Sequence, residues 1–489
     1  MATASNVLFS WADVEKLPEL RRLELVLDTL PDEELLGALE AQRGRGRNDY
    51  PVRAMWRALV AGVVFGHRSI ASLLRELGRN PALLTACGFD PLVRQSRPRA
   101  VLERDAQGSR VVSLAAPCRD SIPSHWNFSR FVRRVVEHEA QVRTMFERLR
   151  EGLMDELPDF GEHLGYDGKA IESHSTGRVN RDTGAPSDRD ADWGRHETHG
   201  VDARTGTPWT KVKTWFGYGL HLVADTRYEV PVDYRVTPAS RSEVKELEAM
   251  VEEGFEDCPE LARRCRDLCA DRGLDSGPLK AKLWEAYQVR PLIEPRELWR
   301  EEKAMPDYDP TRPITRALFP ERADTIVYTE KGQVRCRCPD SGEERDLVFW
   351  GFESDRNTLK YRCPAAVYDL QCTGREACER GAGGHVGEYG RIVRIDLDEH
   401  DRRIFTPTPW GSPSWKRGYH RRSALERINN RIDHGYEFEQ HFIRGLARMR
   451  TRVGVALAVM MALALGHLRA GRPESMRSLF AAVPFADTG

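Results

Sequence analysis

Apolar residues recur at three- and four-residue steps through the first third of the chain. Pro31-Asp-Glu-Glu-Leu-Leu opens one such stretch, and Val52 to Leu77 continues it, which is the spacing of amphipathic helices. Ser69-Ile-Ala-Ser-Leu-Leu-Arg-Glu-Leu and Asn127-Phe-Ser-Arg-Phe-Val-Arg-Arg-Val-Val read as short helices with basic faces. Residues 1–155 are therefore predicted to form an all-helical N-terminal domain, with helix-turn-helix use and dimerisation both open.

From Leu164 the pattern shortens to strands. Gly165-Tyr-Asp-Gly-Lys-Ala-Ile is one, Phe216 to Ala224 and Val230 to Val236 are two more, and Asp225-Thr-Arg-Tyr-Glu is a hairpin connection. Ser240-Arg-Ser-Glu243 predicts a capping box before the helical spacing of Val244, Leu247, Met250 and Val251. Leu268-Cys-Ala-Asp271 reads as a fourth strand ending in an acid, Leu279 to Tyr287 as a helix, and Val289 to Ile293 as a fifth strand that Pro291 weakens. The order β-β-β-α-β-α-β over 160–297 predicts a mixed α/β sheet with its first and fourth strands side by side. Residues 298–405, rich in Pro, Asp, Arg and Cys, break the pattern like an inserted domain, and long helices are predicted over 406–475. Val453 to Leu468 is a 16-residue apolar run, short of the roughly 20 that span a bilayer and better suited to a buried helix.

With 489 residues there is chain for about three domains. Hydrophobic residues at 40%, charged residues at 30% and a mean hydropathy of -0.55 exclude a disordered tail, a membrane protein and a disulfide-held mini-protein. The first Lys or Arg is Lys16 and no long apolar stretch follows it, so no secretory leader is read, a cytoplasmic setting is expected, and the 10 cysteines are expected reduced or metal-bound. Net charge is -1, from 74 basic and 75 acidic residues, but the distribution is uneven. Arg43, Arg45, Arg47, Arg53 and Arg57 form one basic cluster, Arg94, Arg97, Arg99 and Arg104 a second, and Lys416, Arg417, Arg421 and Arg422 a third. Each is a candidate phosphate-facing patch, and Arg43, Arg45 and Arg47 sit among glycines in what reads as a flexible arm.

Three acids carry candidate chemistry: Asp167 on a predicted strand, Asp271 at a strand end and Glu426 on a predicted helix. Two carboxylates at the ends of adjacent strands and a third from a crossing helix could hold two Mg2+ ions for in-line phosphoryl transfer. Tyr419-x2-Arg422-x3-Glu426 is the sharpest local pattern. On one helix it sets an acid, a cation and a phenol on one side, where they could face a substrate phosphate.

These residues resemble the DDE transposases of bacterial insertion sequences that carry a Y-x2-R-x3-E-x6-K signature. The resemblance rests on Tyr166-Asp167-Gly168-Lys169, on Trp215-Phe-Gly-Tyr-Gly-Leu-His-Leu-Val-Ala-Asp225 and Val236-Thr-Pro-Ala, on Ala270-Asp271-Arg-Gly-Leu-Asp-Ser, and on Tyr419 to Glu426. Arg79-Asn-Pro-Ala-Leu, Cys87-Gly-Phe-Asp-Pro and Ile122-Pro-Ser-His-Trp-Asn-Phe-Ser-Arg-Phe resemble the family's N-terminal part. The resemblance implies an RNase H-like catalytic core split by an insertion before its glutamate, and an N-terminal domain for DNA binding or dimerisation. It implies Asp167, Asp271 and Glu426 as ligands of two Mg2+ or Mn2+ ions, with Tyr419, Arg422, Lys416 and Arg417 near DNA. The implied partners are double-stranded DNA, as terminal inverted repeats and target, and a second copy of the chain, in a nucleoid-associated setting with no membrane. At the position of the signature's Lys this chain has Asp433, and Arg431 is the nearby cation that could stand in. Two other readings follow from the same residues: a DNA-binding protein of transposase descent without catalysis, which Asp433 favours, and an RNase H-like nuclease without strand transfer.

Five cysteines fall within the insertion, Cys336, Cys338, Cys363, Cys372 and Cys378, with His385 following. Structural zinc takes four such ligands, usually as two close pairs. The spacing here has no C-x2-C, so both a zinc site and reduced, packed thiols remain open.

Overall fold

The computed structural model describes residues 18–44, 50–89, 99–104, 110–115, 122–202, 204–205, 207–303, 305, 308–309, 312–321, 324–338, 341–382 and 386–481. The N-terminal part contains α1 (Pro18–Thr29), α2 (Glu33–Arg43), α3 (Val52–Val64), α4 (Ile70–Arg79) and α5 (Pro81–Ala86), then α6 (His125–Glu137) and α7 (Glu139–Glu156). The periodic run from Val52 to Leu77 divides where Ser69 caps α4 by accepting from the Ser72 backbone N–H. The expectation of an all-helical domain is corrected by an antiparallel hairpin, β1 (Arg99–Arg104) with β2 (Arg110–Ala115). Its strands begin or end in arginines and carry only a few β-branched residues each, so their pattern is easily passed over.

The central sheet contains β3 (His163–Glu172), β4 (Asp192–Val201), β5 (Pro208–Asp225), β6 (Val230–Pro238), β7 (Asp267–Ala270) and β8 (Arg290–Ile293). Its order is β6-β5-β3-β7-β8, antiparallel as far as β3 and parallel beyond, with β4 pairing the first half of β5. The expected neighbours, the strand of Asp167 and the strand before Asp271, are hydrogen-bonded in parallel. Pro291 is accommodated because β8 lies at the sheet edge, where a missing N–H costs no ladder bond. Between the antiparallel and parallel halves run α8 (Glu243–Asp257) and α9 (Pro259–Arg264), and α10 (Gly277–Tyr287) links β7 to β8. The expected capping box is not formed: Ser242 is the N-cap of α8 and makes no side-chain cap bond.

After α11 (Arg300–Lys303) come two small sheets: β9 (Thr315–Ala317), β10 (Ile326–Thr329), β11 (Val334–Arg337) and β12 (Glu344–Asp346), then β13 (Val348–Glu353), β14 (Thr358–Arg362) and β15 (Ile392–Asp396). Two short helices, α12 (Pro364–Val367) and α13 (Arg375–Ala382), lie between β14 and β15. These sheets enclose their own apolar core from Trp299 to Phe405. The expected long helices after it are mostly short: α14 (Pro413–His420), α15 (Ser423–Asn430) and a π-helical turn at Arg431–Gly435 precede the one long helix, α16 (Leu446–Arg469).

α16 is apolar nearly all round, so it requires neighbours on every side. It packs against α7, β6, α1, α3 and α6 and is buried from Val453 to His467. One continuous core therefore joins the N-terminal helices to the central sheet. The helix is long and apolar enough to cross a membrane, but 89% of its apolar window lies inside the protein.

α10 is fastened to the turn that precedes it by a buried ion pair, and the same lysine reaches the insertion through one hydrogen bond. Lys280 Nζ lies 2.5 Å from Asp275 Oδ1, with side chains 1% and 0% exposed, and also donates to the Arg403 carbonyl. Removing one partner of such a pair strands a charge in the core. Lys280→Met is expected to lower unfolding free energy by about 3–5 kcal/mol in urea melts, and adding Asp275→Leu to recover most of it. Equal melts for Lys280→Met and the parent would show that the pair does not hold α10 in place.

Candidate active site

The site begins with the parallel ladder of β3 and β7. Its last rung pairs Tyr166 with Ala270, so Asp167 and Asp271 are each the next residue on neighbouring strands, which run about 4.8 Å apart. Asp167 stays inside β3, whereas Asp271 leaves β7 and caps a 3-10 turn over Arg272–Leu274, accepting from the Arg272 N–H at 2.7 Å.

The third acid arrives on α15, which crosses the Asp167 face of β3. Strand side chains repeat every two residues and helix side chains every three or four, and here the two periods match. Gly165 faces Leu425, Asp167 faces Asn429 and Lys169 faces Asp433. Gly165 makes the approach feasible: a Cβ there would stand 2.9 Å from Leu425 Cδ1 and 3.2 Å from Cys269 Sγ. Gly418 does the same for α14, where a Cβ would meet Leu292 Cδ1 of β8.

The signature does not lie on a single helix as expected. α14 ends at His420 and α15 starts at Ser423. Arg422 and Leu425 bond back three residues, to the Tyr419 and Arg422 carbonyls, a tight joint that turns the chain while keeping Tyr419, Arg422 and Glu426 together. Arg422 donates to Glu426 at 2.9 Å, and Glu426 is 62% exposed. Tyr419 stacks on Trp415 with ring centroids 4.5 Å apart, and the Arg422 guanidinium stands 6.0 Å from the Tyr419 ring centroid. Burial raises the Tyr419 phenol above its ordinary value.

Arg422 is where the group meets. Burial disfavours its charge, but Tyr419, Asp271, Glu426 and Asp167 outweigh that and raise its pKa. Asp167 is the strained partner. Burial first, then the carboxylates of Glu243 and Asp271, push it up to about 6 against the pull of Arg422 and of Asn429, whose Nδ2 donates to Asp167 Oδ2 at 2.6 Å. The Asn429 Oδ1 is buried with no hydrogen-bond partner.

Sequence reasoning missed three residues here. Asn429 is three positions beyond Glu426, a helical spacing that flags it only once Asp167 is known to lie beneath. Glu243, expected to serve a cap, instead lays its carboxylate over Gly168. Lys169 is the third: its Nζ binds Asp433 Oδ2 at 2.6 Å. Arg431, the expected stand-in for the signature's Lys, is turned away, donating to the carbonyls of Glu229 and Arg477. The cation beside position 433 is thus supplied by β3.

Lys416 and Arg417 are exposed on α14. Arg43 ends α2 and pairs with Glu40 at 2.8 Å. Arg45, Arg47, Arg94, Arg97 and His385 lie outside the described residues. Among the described residues, no three His, Cys, Asp or Glu side chains are gathered tightly enough to grip an ion without rearranging. The donor set nevertheless suits a hard cation: carboxylate oxygens, one of them buried at high electrostatic cost, beside an unpartnered amide oxygen.

Asn429→Ala is expected to drive the Asp167 carboxyl further above about 6, because a hydrogen bond to the charged form is lost. Carboxyl-carbon NMR titration of labelled protein would follow it, and an unchanged midpoint would show that Asn429 does not hold Asp167.

A family model described as a transposase DDE domain matches residues 167–462, beginning at Asp167 and enclosing Asp271 and Glu426. A second, described as a transposase domain, matches residues 13–98. No curated protein matches the chain. Among solved structures it is similar to the piggyBac transposase in a cryo-EM synaptic complex with hairpin DNA, at 12% identity and a TM-score of 0.33, over 96% of this chain and 80% of that one.

Proposed function

The chain belongs to the transposase DDE-domain family, and on that premise we propose that it cuts DNA at the ends of an insertion sequence and joins the freed 3′-hydroxyl to target DNA. The reading takes β3, β5, β6, β7 and β8 as an RNase H-like sheet and the small sheets as its insertion. The observation that supports it most is geometric: Asp167 and Asp271 each follow the last rung of the β3–β7 ladder, and α15, which carries Glu426, crosses the Asp167 face of β3. In this reading the three acids act together at that end of the sheet.

Asp167, Asp271 and Glu426 are the residues that would hold Mg2+ or Mn2+. When bound, two such ions supply charge neutralisation and activation of the attacking oxygen for an in-line displacement. The protein's part is positioning. Asn429 fixes one oxygen of Asp167, leaving the other available. Arg422 holds Glu426 in the free protein, and release of that carboxylate frees a planar guanidinium to make two parallel bonds to a phosphate. Tyr419, stiffened by Trp415, offers its hydroxyl beside it. Lys416 and Arg417, exposed on the preceding helix, extend the basic surface along the DNA backbone, and Arg43, Arg45 and Arg47 add phosphate contacts elsewhere. The expected assembly is two copies on paired terminal repeats.

A second reading, a DNA-binding relative without catalysis, is favoured by Asp433 standing at the signature's Lys position. Against it, Lys169 neutralises Asp433, so no uncompensated negative charge stands at that place. The experiment is a cleavage and end-binding assay on element-end DNA. Asp271→Ala is expected to abolish cleavage and leave binding intact, and Arg422→Lys, which keeps charge but loses the fork, to lower cleavage far more than metal affinity. Parental cleavage by either variant would overturn the roles given to these residues.

A further inference from the structure

The transposase reading leaves the cysteines of the insertion unused. Four of them come from separate segments: Cys336 from β11, Cys363 from the residue before α12, Cys372 from the loop before α13, and Cys378 from α13 itself. All four, with Cys338, line a single cavity of about 150 Å³.

We propose that Cys336, Cys363, Cys372 and Cys378 form a structural zinc site that staples the two small sheets of the insertion together. Structural zinc takes four thiolates in a closed tetrahedron, and the number and soft chemistry of the donors agree. The sulfurs stand around the cavity and do not yet meet at its centre, so side-chain rotation in the α12–α13 connection, where Cys372 is exposed, must close them to about 2.3 Å from the ion. Zn2+ with four thiolates carries a net charge of about -2. Arg391, Arg337 and Arg345 line the same cavity, and Arg391 is held there by Asp324 at 2.7 Å and by its bond to the Cys378 carbonyl.

The need for a staple follows from size. The insertion's core rests on few buried apolar side chains, and scaffolds this small commonly use a metal or disulfides to stay folded. β11 belongs to one sheet and Cys363 directly follows β14 of the other, so an ion held by both would fix their relative placement. Each thiol surrenders its proton to the solvent on binding, so occupancy falls as pH falls.

The test is metal analysis of the full-length chain purified without chelator. About one zinc per chain is expected, with Cys363→Ser and Cys378→Ser each falling below about one fifth of that, and Cys338→Ser and Cys269→Ser keeping it. Exchange of the parent protein into Co2+, which does not depend on any variant folding, should give the intense sulfur-to-cobalt charge-transfer absorption of a tetrahedral thiolate site. Parent protein without zinc and without that absorption, a disulfide among these cysteines, or zinc retained in Cys363→Ser would each overturn the proposal.

Discussion

The commensurate packing of α15 on β3 is the constraint on which the site depends. Two strand residues advance about 6.7 Å and four helix residues about 6.0 Å, close enough that three successive pairs can face each other before the mismatch accumulates. Gly165 and Leu425 set the separation, Asp167 and Asn429 join by a hydrogen bond, and Lys169 and Asp433 close the row with an ion pair. The third pair already lies in the π-helical turn at Arg431–Gly435, where the regular helix ends. Shifting β3 by one residue would turn Asp167 away from the helix that carries Glu426.

Electrostatics then decides what that packing is worth. A carboxylate buried in a strand between Glu243 and Asp271 is costly, and Asn429 and Arg422 offset only part of the cost, since Asp167 still sits near 6. The remaining deficit is what a divalent cation would relieve. Glu426 is exposed and paired with Arg422; in the proposed reaction it would give up that partner for a metal ion and leave Arg422 to a phosphate. Lys169 neutralises Asp433, the residue at the position of the signature's Lys.

Much of this was legible along the chain because the central strand segments are apolar and bounded by turn residues. The three strands from Gly165 to Val236 follow from periodicity, and the adjacency of the first and fourth strands follows from the order of the elements; that they run parallel is a finding of the structure. β4 did not, since Asp192-Trp-Gly-Arg-His-Glu-Thr-His-Gly-Val has neither alternation nor a buried face, and Trp193 is 54% exposed. The joint at Arg421–Arg422 was hidden because nothing in Tyr-His-Arg-Arg-Ser forbids a continuous helix; Gly418 packed on Leu292 brings α14 close to the sheet edge. Asn429 and Lys169 were invisible for a different reason. Their significance lies in cross-chain register, and no spacing within either segment reports which residue of β3 lies under which residue of α15.

The most direct test of the account is a crystal structure with Mn2+ and an uncleaved element end, read by anomalous scattering. The account predicts manganese peaks contacted by Asp167, Asp271 and Glu426, with Asn429 still bonded to Asp167 and Arg422 moved from Glu426 to a DNA phosphate. Manganese bound elsewhere, with Glu426 still paired to Arg422 beside bound DNA, would contradict it.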